Sequence, residues 1–150
     1  MPRLVVAVLS DTHGLIRPEV RATVRGCDHI LHAGDLEDPL AAMVLSSFAP
    51  TTAVRGNCDR RSPLPATQTI ELGGRLVHLL HDLSLLDVNP VAAGIAVVIS
   101  GHTHIPKCDV RDGILYFNPG SAGPVRFGKP ISMGKLIFDE HGVTPELITL

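Results

Sequence analysis

Five short, mostly apolar runs in this chain break off directly into side chains that can donate to a metal ion. That recurrence constrains the fold more than any bulk property. Leu4–Leu9 ends in Ser10-Asp11-Thr12-His13-Gly14, and Ile30-Leu31, between His29 and His32, leads into Ala33-Gly34-Asp35. Residues 51–54 lead into Arg55-Gly56-Asn57-Cys58-Asp59. Arg75–Leu80 ends at His81-Asp82, and residues 96–99 run into Ser100-Gly101-His102-Thr103-His104. Unbroken runs with β-branched residues read as strands buried on both faces. Ligands in open α/β sheets sit beyond strand ends, so these termini are expected to share one crevice.

The segments between the runs fill in the architecture. Pro18 suits a first helical turn and Gly26 its close, and Asp38-Pro39 reads as an N-cap followed by proline at the first helical position. In that second helix Leu40, Met43, Val44 and Ser47 are expected to share one face, with Phe48 just after. The first half is therefore β-α-β-α-β, which implies parallel strands with right-handed crossovers. The second half changes character. Thr67–Leu72 and Arg75–Leu80 flank Gly73-Gly74, a hairpin signal. Asn89-Pro90 opens a short helical turn closed by Gly94. Two further hairpins are expected at Asp112-Gly113 and near His141-Gly142, with residues 143–150 as the last strand. Between them lies the glycine-rich loop Asn118-Pro119-Gly120-Ser121-Ala122-Gly123-Pro124. The expectation is a single domain over residues 1–150, with two packed sheets and helices outside.

Composition removes several function classes. The net charge of -2 argues against a dedicated nucleic-acid surface, and the absence of Trp with 3% aromatics argues against base stacking. The N-terminal apolar run is too short for a secretory signal or a membrane span. Cys27, Cys58 and Cys108 form no zinc-type spacing, and three thiols fit a reduced, cytoplasmic protein. Cys27 and Cys108 read as small apolar fillers. His29, His32, His78 and His141 match no motif and read as structural or surface residues.

Carboxylate, amide and imidazole donors suit Mn, Fe, Co, Ni or Zn rather than an all-oxygen calcium loop. Asp-x-His and His-x-His should aim into one crevice, because residues i and i+2 of a strand share a face. Asp11, His13, Asp35, Asn57, His81, His102 and His104 are too many for one tetrahedral ion. They fit two ions sharing a carboxylate, as in two-metal phosphate-ester hydrolases.

The order Asp-x-His, Gly-Asp, Gly-Asn-Cys-Asp, His, Gly-His-Thr-His resembles the calcineurin-like metallophosphoesterase superfamily. Within it, the small bacterial and archaeal phosphodiesterases are most similar, a branch that the retromer subunit Vps29 also resembles. The resemblance runs from residue 5 to about residue 121. It implies a four-layer α/β/β/α sandwich of two mixed β-sheets. It also implies one metal on Asp11, His13, Asp35 and His104 and a second on Asp35, Asn57, His81 and His102, with Asp35 bridging. The expected cofactor is two divalent ions, manganese first, with Ni, Fe, Co or Zn as other members of the set. The implied reaction is phosphodiester hydrolysis by a metal-bridging hydroxide, with Asp35, Asn57, Cys58, Asp59 and His102 at the reacting centre.

Two positions depart from the wider superfamily. Cys58 stands where many members have the histidine expected to protonate the leaving group, so activated aryl diesters should be cleaved best. Asp82 stands where glycine is usual, and a third carboxylate could hold water, repel phosphate or point away. Asp59 reads as orienting loop groups or as a turn residue. Asn118 and Gly120-Ser121 read as a turn supporting the sheet edge. Arg60, Arg61 and Arg126 are candidates for a substrate anion. A chain without a cap should present an open crevice to a small phosphoester substrate, and its edge strands offer a route to a homo-oligomer. The competing reading is a Vps29-like interaction module with a structural or vestigial metal site.

Overall fold

The computed structural model describes residues 3–125 and 128–150. In the first sheet the central strand is β1 (Leu4–Leu9). β2 (His29–His32) and β3 (Thr51–Ala53) continue from it in parallel, joined by the crossover helices α1 (Pro18–Val24) and α2 (Pro39–Ser46). The other side of β1 is taken by a hairpin from the far end of the chain, β9 (Ser132–Asp139) and β10 (Gly142–Thr149), with β9 antiparallel to β1. The second sheet has the order β4 (Thr67–Leu72), β5 (Arg75–Leu80), β6 (Ile95–Ile99), β8 (Ile114–Asn118), β7 (Lys107–Arg111). Here β5, β6 and β8 are parallel, with antiparallel strands at both edges.

Alternation along β1 explains the layers. Val6 and Val8 point between the sheets, with Leu31, Leu136 and Phe138, and meet Val77, Leu79, Ile99 and Phe117 of the second sheet. Ala7 and Leu9 point the other way, onto Val20, Val24 and Leu45 of the helices. β1 is thus buried on both faces, as its apolar run requires. Burying each large side chain of this core stabilises the fold by about 1.5–3 kcal/mol relative to exposure. The outermost layer over the second sheet is slight. It is a 3-10 turn (Leu83–Leu85) and α3 (Pro90–Ala93), with Leu83 and Leu86 packed on Leu80, Ile95, Val98 and Ile114. The α/β/β/α order is present, with one thin helical face.

Two sequence expectations change. α2 buries Ala41 and Leu45, whereas Leu40 and Met43 are 60% and 67% exposed. Residues 40–45 are all apolar, so periodicity cannot phase this helix. Its phase is set where the Asp38 carboxylate accepts the Leu40 N–H and Pro39 opens the first turn. Cys108 is exposed on the edge strand β7 rather than a core filler, while Cys27 is buried against the helices. Arg126 lies outside the described residues. Among those described, no helix is long and apolar enough to cross a membrane.

Candidate metal centre

The donor residues sit where strands give way to loops, in backbone conformations that only a few residue types adopt readily. Asp11 (φ 57°), His13 (48°), Asp35 (62°), His102 (71°) and His104 (62°) are all left-handed, as is Glu37 (62°). Each such non-glycine residue costs about 1–2 kcal/mol. The expected reason for convergence was strand alternation, and the structure replaces it. The i, i+2 pairs aim together because alternate loop residues turn left-handed, not because the strand continues.

Several contacts hold these turns. The Asp11, His13 and Gly14 N–H groups donate to the Gly34, Asp35 and Leu36 carbonyls at 2.7–2.9 Å, locking the two loops side by side. Buried Asp59 accepts four backbone N–H groups. Its Oδ2 takes Asp35 (2.7 Å), Gly56 (2.9 Å) and Leu36 (3.2 Å), and its Oδ1 takes Glu37 (2.7 Å). Asp59 therefore positions the loop that carries Asp35. Asn118 donates to the Gly101 carbonyl and the Thr103 hydroxyl, and the Ser121 hydroxyl donates to the Asp11 carbonyl. The Asn118 to Ser121 turn, expected to support the sheet edge, holds the donor loops as well. Two glycines are required for close approach: a Cβ on Gly56 would overlap Asp35 Oδ1, and one on Gly101 would overlap Ser10 Oγ.

Five donors form a buried nest. Asp11 Oδ1 lies 3.2 Å from His104 Nε2, 3.8 Å from His81 Nε2 and 4.0 Å from His13 Nε2. Asp35 Oδ2 lies 3.3 Å from His81 Nε2 and 3.9 Å from His13 Nε2. Asp11 Oδ1, His13 Nε2 and His81 Nε2 are buried without a hydrogen-bond partner among the described residues. The remaining atoms of these groups are engaged. His81 Nδ1–H donates to the Ala33 carbonyl and His13 Nδ1–H to the Glu37 carboxylate, both at 2.8 Å. Asp11 Oδ2 accepts from the Ser10 hydroxyl and the His102 N–H, and Asp35 Oδ1 accepts the Cys58 N–H. Fixing one ring nitrogen leaves the other with its lone pair directed at the centre, the usual outer-shell support for a metal-bound imidazole.

Electrostatics match a site built for a cation. Burial pushes the Asp35 carboxyl up, but the His81 imidazole beside it and the hydrogen bond from the Cys58 N–H outweigh it and hold Asp35 well below the carboxylate range. His81 is shifted the other way. Burial disfavours its charged form, but the neighbouring Asp35 and Asp11 carboxylates raise it above the ordinary imidazole value.

Asn57 and His102 lie outside the nest, on its rim, with Asn57 Oδ1 and His102 Nδ1 3.2 Å apart. His102 is 42% exposed in its side chain, and its Nε2 faces Asp82 Oδ2 at 3.8 Å. Asp82 caps the 3-10 turn through the Ser84 N–H and hydroxyl, which with neighbouring His102 lowers its carboxyl below the usual range. All seven expected ligands thus meet in one crevice, five inside and two at its edge. Cys58 is exposed beside Glu37 and His13, and desolvation followed by the Asp35 and Glu37 charges pushes its thiol up to about 11. Sequence reasoning missed Glu37 and Ser10. A lone glutamate in a loop carries no pattern, and only its contact with His13 reveals it.

The family model for the calcineurin-like phosphoesterase superfamily domain matches residues 4–141. The chain belongs to this superfamily. A protein of Methanothermobacter thermautotrophicus named a probable metallophosphoesterase is 33% identical, covering 97% of this chain and 92% of the relative. The phosphodiesterase YfcE of Escherichia coli K12 is 36% identical over 56% of this chain and 50% of its own. A solved structure from Streptococcus pneumoniae, described as a predicted phosphoesterase, superposes with a TM-score of 0.80 at 28% identity, covering 99% of this chain and 91% of that one. Vacuolar protein sorting 29 from Cryptosporidium parvum shares the fold, with a TM-score of 0.79 at 14% identity over 99% and 98% of the two chains. Membership implies a divalent metal, and the unpartnered Asp11 Oδ1, His13 Nε2 and His81 Nε2 fit one.

Proposed function

We propose that the protein is a dinuclear metal-dependent phosphodiesterase acting on small phosphoester substrates. The observation that carries this reading is the set of buried lone-pair atoms, Asp11 Oδ1, His13 Nε2 and His81 Nε2, aimed at one point while their partner atoms are tied down. In this reading Asp11, His13, Asp35 and His104 hold one ion, and Asp35, Asn57, His81 and His102 hold the other. When bound, the two ions supply an activated water and neutralise the non-bridging phosphate oxygens. Manganese is the proposed metal, with Ni, Fe, Co or Zn as substitutes, since all suit oxygen and imidazole donors.

The chain's own groups do the rest. Asp35 stays ionised at any physiological pH and so holds cation without titrating. Asn57 and His102 sit side by side on the exposed rim, where a bound phosphate would be within their reach. Cys58 stays a thiol near neutrality, so it serves neither as nucleophile nor as an efficient acid. Departure of an alcohol therefore depends on its own acidity, which favours aryl diesters. The phosphodiesterase name of one relative and the metallophosphoesterase name of another support the reaction class. Two exposed and one buried free thiols fit a reducing, cytoplasmic setting. A homo-oligomer through the edge strands is part of the same proposal.

The Vps29 likeness concerns fold alone, and a complete set of donors favours the enzyme over the interaction module. Purified protein loaded with manganese should hydrolyse bis(4-nitrophenyl) phosphate, stop in chelator, and lose activity by at least a hundredfold in Asp35→Ala. Absence of turnover by metal-loaded protein on a panel of diesters and monoesters would overturn the proposal.

A further inference from the structure

Asn57 lines two clefts that flank the donor nest. The larger, about 820 Å³, lies between the start of α2 and the loop after Asn57, with Leu36, Pro39, Ala42, Pro63 and Leu64 as its apolar walls and Arg60 and Arg61 beside them. It adjoins the nest at His13, because Cys58 and Glu37 of its wall place Sγ and a carboxylate oxygen within 4.8 Å of a His13 ring nitrogen. The smaller, about 330 Å³, lies on the other side of Asn57 and contains His81, His102, Asp82, Leu85 and Asp87. A phosphorus atom at the nest would thus have one cleft for each ester substituent, and a monoester would leave one of them empty.

The clefts differ in size and in which of their guanidinium groups are engaged. The carboxylates of the larger cleft are engaged: Glu37 with His13, Asp38 with the Leu40 N–H, and Asp59 with four backbone N–H groups. Arg60 and Arg61 are exposed there, with no hydrogen bond or ion pair among the described residues. Paired guanidinium groups at a loop are suited to forked contacts with phosphate or carboxylate. In the smaller cleft the guanidinium, that of Arg55, donates to the Leu64 carbonyl, and Asp82 and Asp87 stand beside it. The wall of the larger cleft is also stiff, since Asp59 ties the loop of Gly56 to that of Asp35.

We infer that the larger cleft seats the bulky organic substituent of a phosphodiester, a flat apolar group of at least nucleobase size that carries a further anion toward Arg60 and Arg61. The smaller cleft takes the lesser, uncharged substituent. This substrate class rests on the phosphodiesterase reading, and two independent measurements separate the fate of each.

The first measurement compares kcat/KM of manganese-loaded full chain on three diesters with one leaving group: methyl 4-nitrophenyl phosphate, thymidine 5′-(4-nitrophenyl phosphate), and the latter bearing a 3′-phosphate. The expected order rises along that series, by about tenfold or more per step, the equivalent of about 1.4 kcal/mol each. Arg60→Ser with Arg61→Ser should collapse the ratio between the last two toward one. Ala42→Trp, which fills the cleft, should collapse the ratio between the first two. The second measurement is calorimetric binding of thymidine 3′,5′-bisphosphate, which needs no turnover. It should weaken about tenfold or more in each variant. Binding that responds to both variants without hydrolysis of any diester would sustain the cleft and defeat the phosphodiesterase reading. Hydrolysis with ratios and binding indifferent to both variants would defeat the cleft and leave the activity standing.

Discussion

Removing the Asp59 carboxylate tests whether this residue serves the backbone or the chemistry. In Asp59→Ala the N–H groups of Asp35, Leu36 and Gly56 lose a buried acceptor and that of Glu37 a half-buried one. An unsatisfied buried donor costs about 1–3 kcal/mol, and relaxation and entering water recover part of the sum. The expected loss is about 3–6 kcal/mol, against a total stability of about 5–15 kcal/mol for a domain. The same contacts hold the left-handed turns at Asp35 and Glu37, so their release also frees strain of about 1–2 kcal/mol per residue. Asp59→Asn keeps one oxygen for the three N–H groups on Oδ2 but turns an amide NH2 toward Glu37, with an expected loss of about 1–3 kcal/mol. Urea unfolding followed by circular dichroism, in chelator so that metal binding cannot contribute, measures both. If Asp59→Ala stays within about 1 kcal/mol of the parent, the positioning argument is wrong and the residue acts elsewhere.

Three further outcomes are expected. His32 is fully buried, accepts the Gly34 N–H at Nδ1 and contacts the Thr12 hydroxyl through Nε2, and burial lowers its pKa to about 3. Between about pH 3 and 6.5 the unfolded chain binds a proton there that the folded chain refuses. The His32 contribution to stability therefore falls with decreasing pH by about 1.4 kcal/mol per unit in that window. In metal-free unfolding curves His32→Gln should flatten this slope, and equal slopes in both proteins would contradict it. Glu37→Ala frees His13 Nδ1, so manganese affinity measured by calorimetry should drop about 10–100-fold with folding intact; unchanged affinity would mean that Glu37 is a bystander. Gly56→Ala drives a methyl group into Asp35 Oδ1. It should abolish stoichiometric metal uptake by elemental analysis, whereas Gly74→Ala, whose Cβ meets nothing within 4 Å, should retain it.

Much of this centre was legible in the sequence because its signals are local. Apolar runs ended by donors marked the strand ends, and Gly73-Gly74 and Asp112-Gly113 marked hairpins found at those places. The α2 face was not legible, because a helix apolar on every side has no phase to read. Nor was the backbone at the donors, since left-handed turns at Asp11 and His102 depend on contacts with loops far along the chain. Glycines beside Asp35, Asn57 and His102 were the available hint of crowding, and Gly56 and Gly101 do border the donors closely. Asp59 reads in the sequence as orienting loop groups or as a turn residue, and which groups it orients was not legible because its four partners lie mainly on another loop. The pairing of β1 with β9 spans most of the chain and has no short-range signature.

That last pairing sets an order of events during synthesis. β1 can pair on one side with β2 as soon as residues 29–32 are available, but its other edge waits for β9, which begins at Ser132. Every proposed metal donor has been made by His104, 28 residues earlier. At about 5–20 residues per second the growing chain therefore spends a few seconds with its donors complete and its central strand open along one edge. In that interval Ser121, which anchors the Asp11 carbonyl, is also made only after the donors it serves. Until β9 arrives, β1 is the edge through which one nascent chain could capture another.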